Sequence, residues 1–223
     1  MMKKSLYLLA FGLLFTNLEA QFKLPKNPLG TNTGNQEAAA PAVDISQSQA
    51  NLMVQLTDAL GDVAYAQSLI AEAQGNAEKA AALRGTSDTL KGGNATDQEI
   101  KGAVETVSST AKEQQAVFNQ SEAVNAESKA LYAKALLPYV KSVAKTSKLS
   151  GPIKNFATEA QNSLKSIRNP LEIGKLKKTL DVGLFVGSNV PKLITSLLTS
   201  SKDLLTFAKS NDLDTSEASS IEL

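Results

Sequence analysis

Counted in sevens from Ile45, the chain sets Ile45, Leu52, Ala59, Ala66 and Ala73 on one line, and counted from Leu56 it sets Leu56, Val63, Ile70 and Ala77 on a second. The two lines interleave at three and four residues, which is the spacing of one apolar stripe along an α-helix. A half-buried strand alternates every second residue and does not produce it. Asp44 or Ser46 can cap the start of this helix. Its stripe is rich in alanine, so neighbouring helices can approach closely. Asn76 to Arg84, NAEKAAALR, resumes strong helix formers beyond Gly75 and is expected to extend the same rod.

Gly85 to Asn94, GTSDTLKGGN, reads as a turn by composition. Thr96 then opens TDQE, a capping box in which Thr96 bonds the backbone at Glu99 and the Glu99 side chain reaches back. A second long helix follows at least to Leu137, with Val104, Ala111, Phe118, Asn125, Tyr132 and Tyr139 in series. Gln114, Ser121, Asn125 and Ser128 interrupt its apolar face. Buried, they need hydrogen-bond partners; exposed, they mark a seam turned toward solvent or toward a second copy in a homo-oligomer. Two arms of roughly 40 residues predict an antiparallel hairpin about 60 Å long.

Pro138 is expected to bend or restart the second arm. Ser150-Gly151-Pro152 marks a stop and restart, and Ile153, Phe156, Ala157, Ala160, Leu164 and Ile167 give a short amphipathic helix ended by Asn169-Pro170. Residues 171–189 are read as helix, although Val182, Leu184 and Val186 alternate with Gly183, Phe185 and Gly187 as in a short strand. A last helix is expected after Ser188-Asn189, with Pro191 in its first turn. The chain is thus all-α: a long helical hairpin with a shorter C-terminal helical region packed against it. Residues 44–210 form the bundle, and the acidic stretch 211–223 is expected to be a disordered tail.

Before the bundle, MMKKSLYLLAFGLLFTNLEA has the parts of a secretory signal: Lys3 and Lys4, an apolar run from Leu6 to Phe15, and a short polar end at Ala20. The run falls short of the ~20 apolar residues that an anchor needs. Cleavage after Ala20 leaves residues 21–43 as a flexible lead-in with three of the seven prolines. Export to the periplasm or the cell exterior is the expected localisation.

Cysteine and histidine are both absent. Their absence rules out a disulfide scaffold, a zinc site of the usual kind and any triad built on His or Cys. Ser142-Val-Ala-Lys145 matches the S-x-x-K pattern of serine enzymes that interact with penicillin, but neither S-D-N nor K-T-G accompanies it. Asn94-Ala-Thr96 and Asn119-Gln-Ser121 are glycosylation sequons, relevant only in a eukaryotic secretory pathway. The Glu122 and Glu127 carboxylates lie on the polar side of a helix that already explains them. No enzyme, cofactor or metal is implied.

Charge is unevenly spread. Residues 44–110 hold nine acids and four bases, and residues 138–209 hold twelve bases and four acids. Either the basic helices pack beside the acidic hairpin, or they face an anionic surface. Lys141, Lys145 and Lys148 fall on one helical face, with Lys175, Lys177 and Lys178 as a second cluster. In an exported chain that surface is anionic lipid or a cell-wall polymer, and not nucleic acid.

The run DVGLFVGSNVPKLITSLL, residues 181–198, is the most apolar after the N-terminus. It has only ten uncharged residues between Asp181 and Lys192. Its central lysine costs about 2.5–3.5 kcal/mol against at most about 5 recovered from its apolar residues, so a constitutive anchor is not expected. What stands out is Gly183, Leu184, Phe185, Val186 and Gly187, the candidate mobile or membrane-seeking element. The functional expectation is a non-enzymatic binding or scaffolding module at the cell envelope, with an unidentified protein or envelope partner. The alternative is a membrane-active, pore-forming or lipid-binding helical protein.

Overall fold

The computed structural model describes residues 45–120 and 124–223, all helices and their connections, with no strand among them. The expected signal (1–20) and lead-in (21–43) lie outside the described residues. In order, the helices are α1 (Ile45–Ala73), α2 (Ala77–Lys91), α3 (Asp97–Phe118), α4 (Ala126–Ser147), α5 (Ser150–Ser166), α6 (Pro170–Thr179), α7 (Asp181–Ser210) and α8 (Ser216–Ser219).

The first arm does not continue past Gly75. That glycine sits at φ +73°, in the left-handed region that terminates helices. Asn76 starts a new helix by accepting a hydrogen bond from the Lys79 amide at 3.0 Å. Helix α2 then runs back along α1: Ser87 Oγ donates to the Gly61 carbonyl at 2.8 Å, and Lys91 pairs with Asp62 at 2.6 Å. The stretch 85–91, read as turn, is therefore the second half of a helix. Ser87 and Leu90 are buried on its inner face, and that burial outweighs the composition of the segment. The turn itself is short and ends at the capping box, where Thr96 Oγ1 accepts from the Glu99 amide at 3.3 Å and the Thr96 amide donates to the Glu99 carboxylate at 2.7 Å.

The second arm breaks as well, after Phe118, and restarts with Asn125 capping α4 through the Ser128 amide at 2.8 Å. Because α2 has already returned the chain, α1 and α3 run in the same direction: Gln67 lies beside Val107, and Ala73 beside Val117. Helix α4 runs opposite to both α1 and α7, with Lys145 at Asp58, Tyr139 between Gln67 and Ser200, and Tyr132 against Phe207. The expected pair of 40-residue arms is thus four shorter helices.

Pro138 lies inside α4 and Pro191 inside α7. Neither ends its helix. Leu136, Tyr139, Val140 and Val143 carry one buried stripe across the first, and Val186, Val190, Leu193, Ile194 and Leu197 carry one across the second. The expected break at Ser188-Asn189 is absent, and Pro191 sits mid-helix rather than in a first turn. Asp181 to Gly187 is helical, and residues 171–189 are helix, as read, except for the turn at Leu180 between α6 and α7.

The acidic segment 211–223 is ordered. Leu213 and Ile221 pack on the core, Ala218 is buried, and the Asn211 amide bonds the Phe207 carbonyl at 3.1 Å. Three apolar anchors hold it down despite its composition.

Candidate functional site

The six candidate lysines divide into two groups. Lys145 is turned inward on α4 to the Asp58 and Asp62 carboxylates of α1, at 2.7 and 2.5 Å, and Asp62 also receives Lys91. Burial pulls the Lys145 ammonium down, but the hydrogen bonds to Asp58 and Asp62 outweigh it and hold the group above its ordinary range. Burial pushes Asp62 up, and its bonds to Lys145 and Lys91 reverse that, so its carboxyl is held below the usual range. Lys141 meets Glu217 of the C-terminal segment at 3.4 Å. These two lysines are spent on the acidic part of their own chain.

The same geometry bears on the S-x-x-K pair. Ser142 Oγ donates to the Tyr139 carbonyl at 2.8 Å, and Lys145 is committed as a protonated partner of two carboxylates. A base that is held protonated does not take the proton of a serine.

Lys148, Lys175, Lys177 and Lys178 are exposed, and none forms an ion pair among the described residues. Lys154, Lys165 and Arg168, which the residue pattern did not single out, are in the same condition. Between Lys148 and Lys178 the chain carries these seven bases against Glu159 and Glu172. Every ion pair among the described residues lies elsewhere, joining α1, α2, α3, α4, the first residue of α7 and α8.

Helix α6 carries Lys175, Lys177 and Lys178 of this stretch. Asn169 caps it through the Leu171 amide at 3.0 Å, and Pro170 supplies its first turn. None of its ten residues is buried. Ile173 and Leu176 are partly covered on its inner side, while Leu171, at 77% exposure, points outward with Lys175 and Lys178 one and two turns on.

The element Gly183 to Gly187 packs against the bundle, with Gly183 and Val186 buried and Leu184, Phe185 and Gly187 half-buried. A Cβ on Gly183 would stand 2.5 Å from the Phe156 ring and from Gln49 Oε1, so this glycine is where α7 meets α5 and α1. Gly187 lies against Ala157, Val186 is buried, and Phe185 receives the Lys101 ammonium 5.7 Å above its ring. Helix α7 is the one described helix long and apolar enough to cross a membrane, and it packs along α3, α4 and α5.

A polar belt crosses the core. The Gln67 amide donates to the Val107 carbonyl at 3.0 Å, and the Gln114 amide donates to the Gln67 carbonyl at 2.9 Å. The Tyr139 hydroxyl lies 3.1 Å from Ser200 Oγ and also faces the Gln67 side chain. Burial pushes this phenol up to about 12, and its hydrogen bonds offset only part of that. Of the two alternatives for Gln114, buried with a hydrogen-bond partner or exposed as a seam, the first holds; Asn125 is a helix cap, and Ser121 lies outside the described residues.

A cavity of about 430 Å³ opens at the end of the bundle beyond the belt, floored by Tyr132 and Phe207 and walled by Gln74, Gln120, Asn125 and Ser128. No cluster of carboxylates able to hold a metal exists among the described residues. No protein-family model, curated protein or solved structure matches this chain.

Proposed function

We propose that the protein is an exported, non-enzymatic binding or scaffolding module of the cell envelope that attaches to an anionic surface through residues 148–178. The supporting observation is the concentration of unmatched cations in one stretch: all seven bases from Lys148 to Lys178 are exposed and form no ion pair among the described residues, while the three bases of α2, Lys101 of α3 and Lys141 and Lys145 of α4 are matched to carboxylates. Uncompensated like charge concentrated in one stretch of chain costs self-repulsion and is relieved by an anionic partner. Near an anionic surface each such side chain contributes about 1 kcal/mol, falling off within a Debye length of about 8 Å at physiological salt.

The test is retention of the exported chain on a dextran sulfate column across a salt gradient. Retention at low salt that falls as salt rises supports the reading, and passage in the void volume at low salt refutes it. A second reading, a membrane-active protein that releases α7 into a bilayer, is favoured by the length and apolarity of that helix. It requires release of dye entrapped in vesicles, which the first reading does not.

A further inference from the structure

We infer that α6 is an in-plane lipid anchor, seating Leu171 among the acyl chains of an anionic bilayer while Lys175 and Lys178 meet the headgroups. This rests on the anionic-surface reading above and names its partner as lipid.

Leu171 carries the argument first. At 77% exposure it is the most exposed large apolar side chain among the described residues. Single exposed leucines are ordinary on protein surfaces, and this one is set apart by its neighbours. Its positions one and two turns along the same helix face are Lys175 and Lys178, both exposed, and Arg168 precedes it in the connection to α5. An apolar tip ringed by cations is the pattern of a helix that lies in the interface plane: the leucine enters the acyl boundary and the long lysine stems snorkel to the headgroups. A rigid anionic polymer satisfies the lysines equally well but offers nothing to the leucine.

The packing of α6 agrees. A helix of ten residues with none buried is held by Leu176 packed on the core, by the Gln49 amide bonded to the Thr179 carbonyl at 3.0 Å and by the buried Leu180 just past its C-terminal end. Its outer face bonds to nothing in the fold, so it meets a flat surface without unfolding any part of the bundle. Lys141 and Lys145 do not add to this surface, being bound to Glu217, Asp58 and Asp62.

The experiment uses the exported chain and co-sedimentation with vesicles of phosphatidylcholine containing phosphatidylglycerol, of phosphatidylcholine alone, and, in parallel, retention on dextran sulfate. Binding to the anionic vesicles only is expected. Leu171→Ser is expected to weaken vesicle binding about tenfold and to leave dextran sulfate retention unchanged; Lys175→Gln with Lys178→Gln is expected to weaken vesicle binding about 25-fold at low salt and to reduce both signals. Because Leu171 and both lysines are exposed, helical content by circular dichroism should be unchanged in each variant. Vesicle binding by Leu171→Ser equal to the parent overturns the anchor. Dextran sulfate retention without vesicle binding overturns it too but leaves the anionic-surface reading standing. Absence of both signals overturns both.

Discussion

Gly183 and Gly102 are both helical glycines, one in α7 and one in α3, and replacing each by alanine separates two opposed effects. Alanine in a helix interior gains roughly 1 kcal/mol over glycine through propensity alone. At Gly102 nothing lies within 4 Å of the added methyl, so Gly102→Ala should keep that gain. At Gly183 the methyl would stand 2.5 Å from Phe156 Cζ and from Gln49 Oε1. Phe156 is 2% exposed and has no free side to move into, and Gln49 is tied by its amide to the Thr179 carbonyl at 3.0 Å. Overpacking of this kind costs about 1–3 kcal/mol. The propensity gain is common to both variants, so their difference isolates the packing term: Gly183→Ala should be about 1–3 kcal/mol less stable than Gly102→Ala. Urea unfolding followed by circular dichroism measures it, as midpoints about 0.5–1.5 M apart for a slope near 2 kcal/mol/M. Equal stabilisation of the two variants would refute the close approach of α7 to α5 and α1. It would also return Gly183–Gly187 to the status of a loosely held element.

Two further outcomes follow from the interior. Tyr139→Phe removes a buried hydroxyl from the belt and should cost about 1 kcal/mol; in the parent, absorbance titration should show one phenol ionising only near pH 12, and its persistence in Tyr139→Phe would assign it elsewhere. Asp62 is held below its unfolded value of 3.8, so its contribution is present above that pH and is lost as pH falls through the lower folded value. Lys145→Met removes one of the groups that lowers it, and acid unfolding by circular dichroism should then begin at a higher pH than in the parent; an unchanged acid limb would show that the pair does not report on stability.

The class of the fold was legible because periodicity is local. The stripe of α1, the capping box at Thr96 and the amphipathic α5 all stand where their spacing put them. The chain reversals were harder. Gly75 is a weak signal among helix formers on both sides, and only its left-handed φ turns α2 back. The segment 85–91 has the composition of a turn and the burial of a helix, because Ser87 finds the Gly61 carbonyl 26 residues away. Ordering of 211–223 depends on Leu213, Ala218 and Ile221 meeting a core assembled from the rest of the chain.

For the site, the basic bias was visible as composition. Which lysines are neutralised was not, since Lys145 and Asp62 are 83 residues apart and nothing in either neighbourhood marks them as partners. Leu171 looked like one more apolar position. Its exposure becomes evident only when α6 is laid on its neighbours by Leu176 and Leu180.

The polar belt restricts how α7 can move. Ser200 shares its hydroxyl with Tyr139, which in turn faces Gln67. Sliding α7 by one turn along its groove would carry Ser200 about 5 Å away from Tyr139 while keeping many apolar contacts interchangeable. Leucine and valine tolerate such a shift; a phenol stranded in hydrocarbon does not. The belt therefore works as a vernier on an otherwise greasy joint, permitting one axial setting of the bundle where apolar packing alone would permit several.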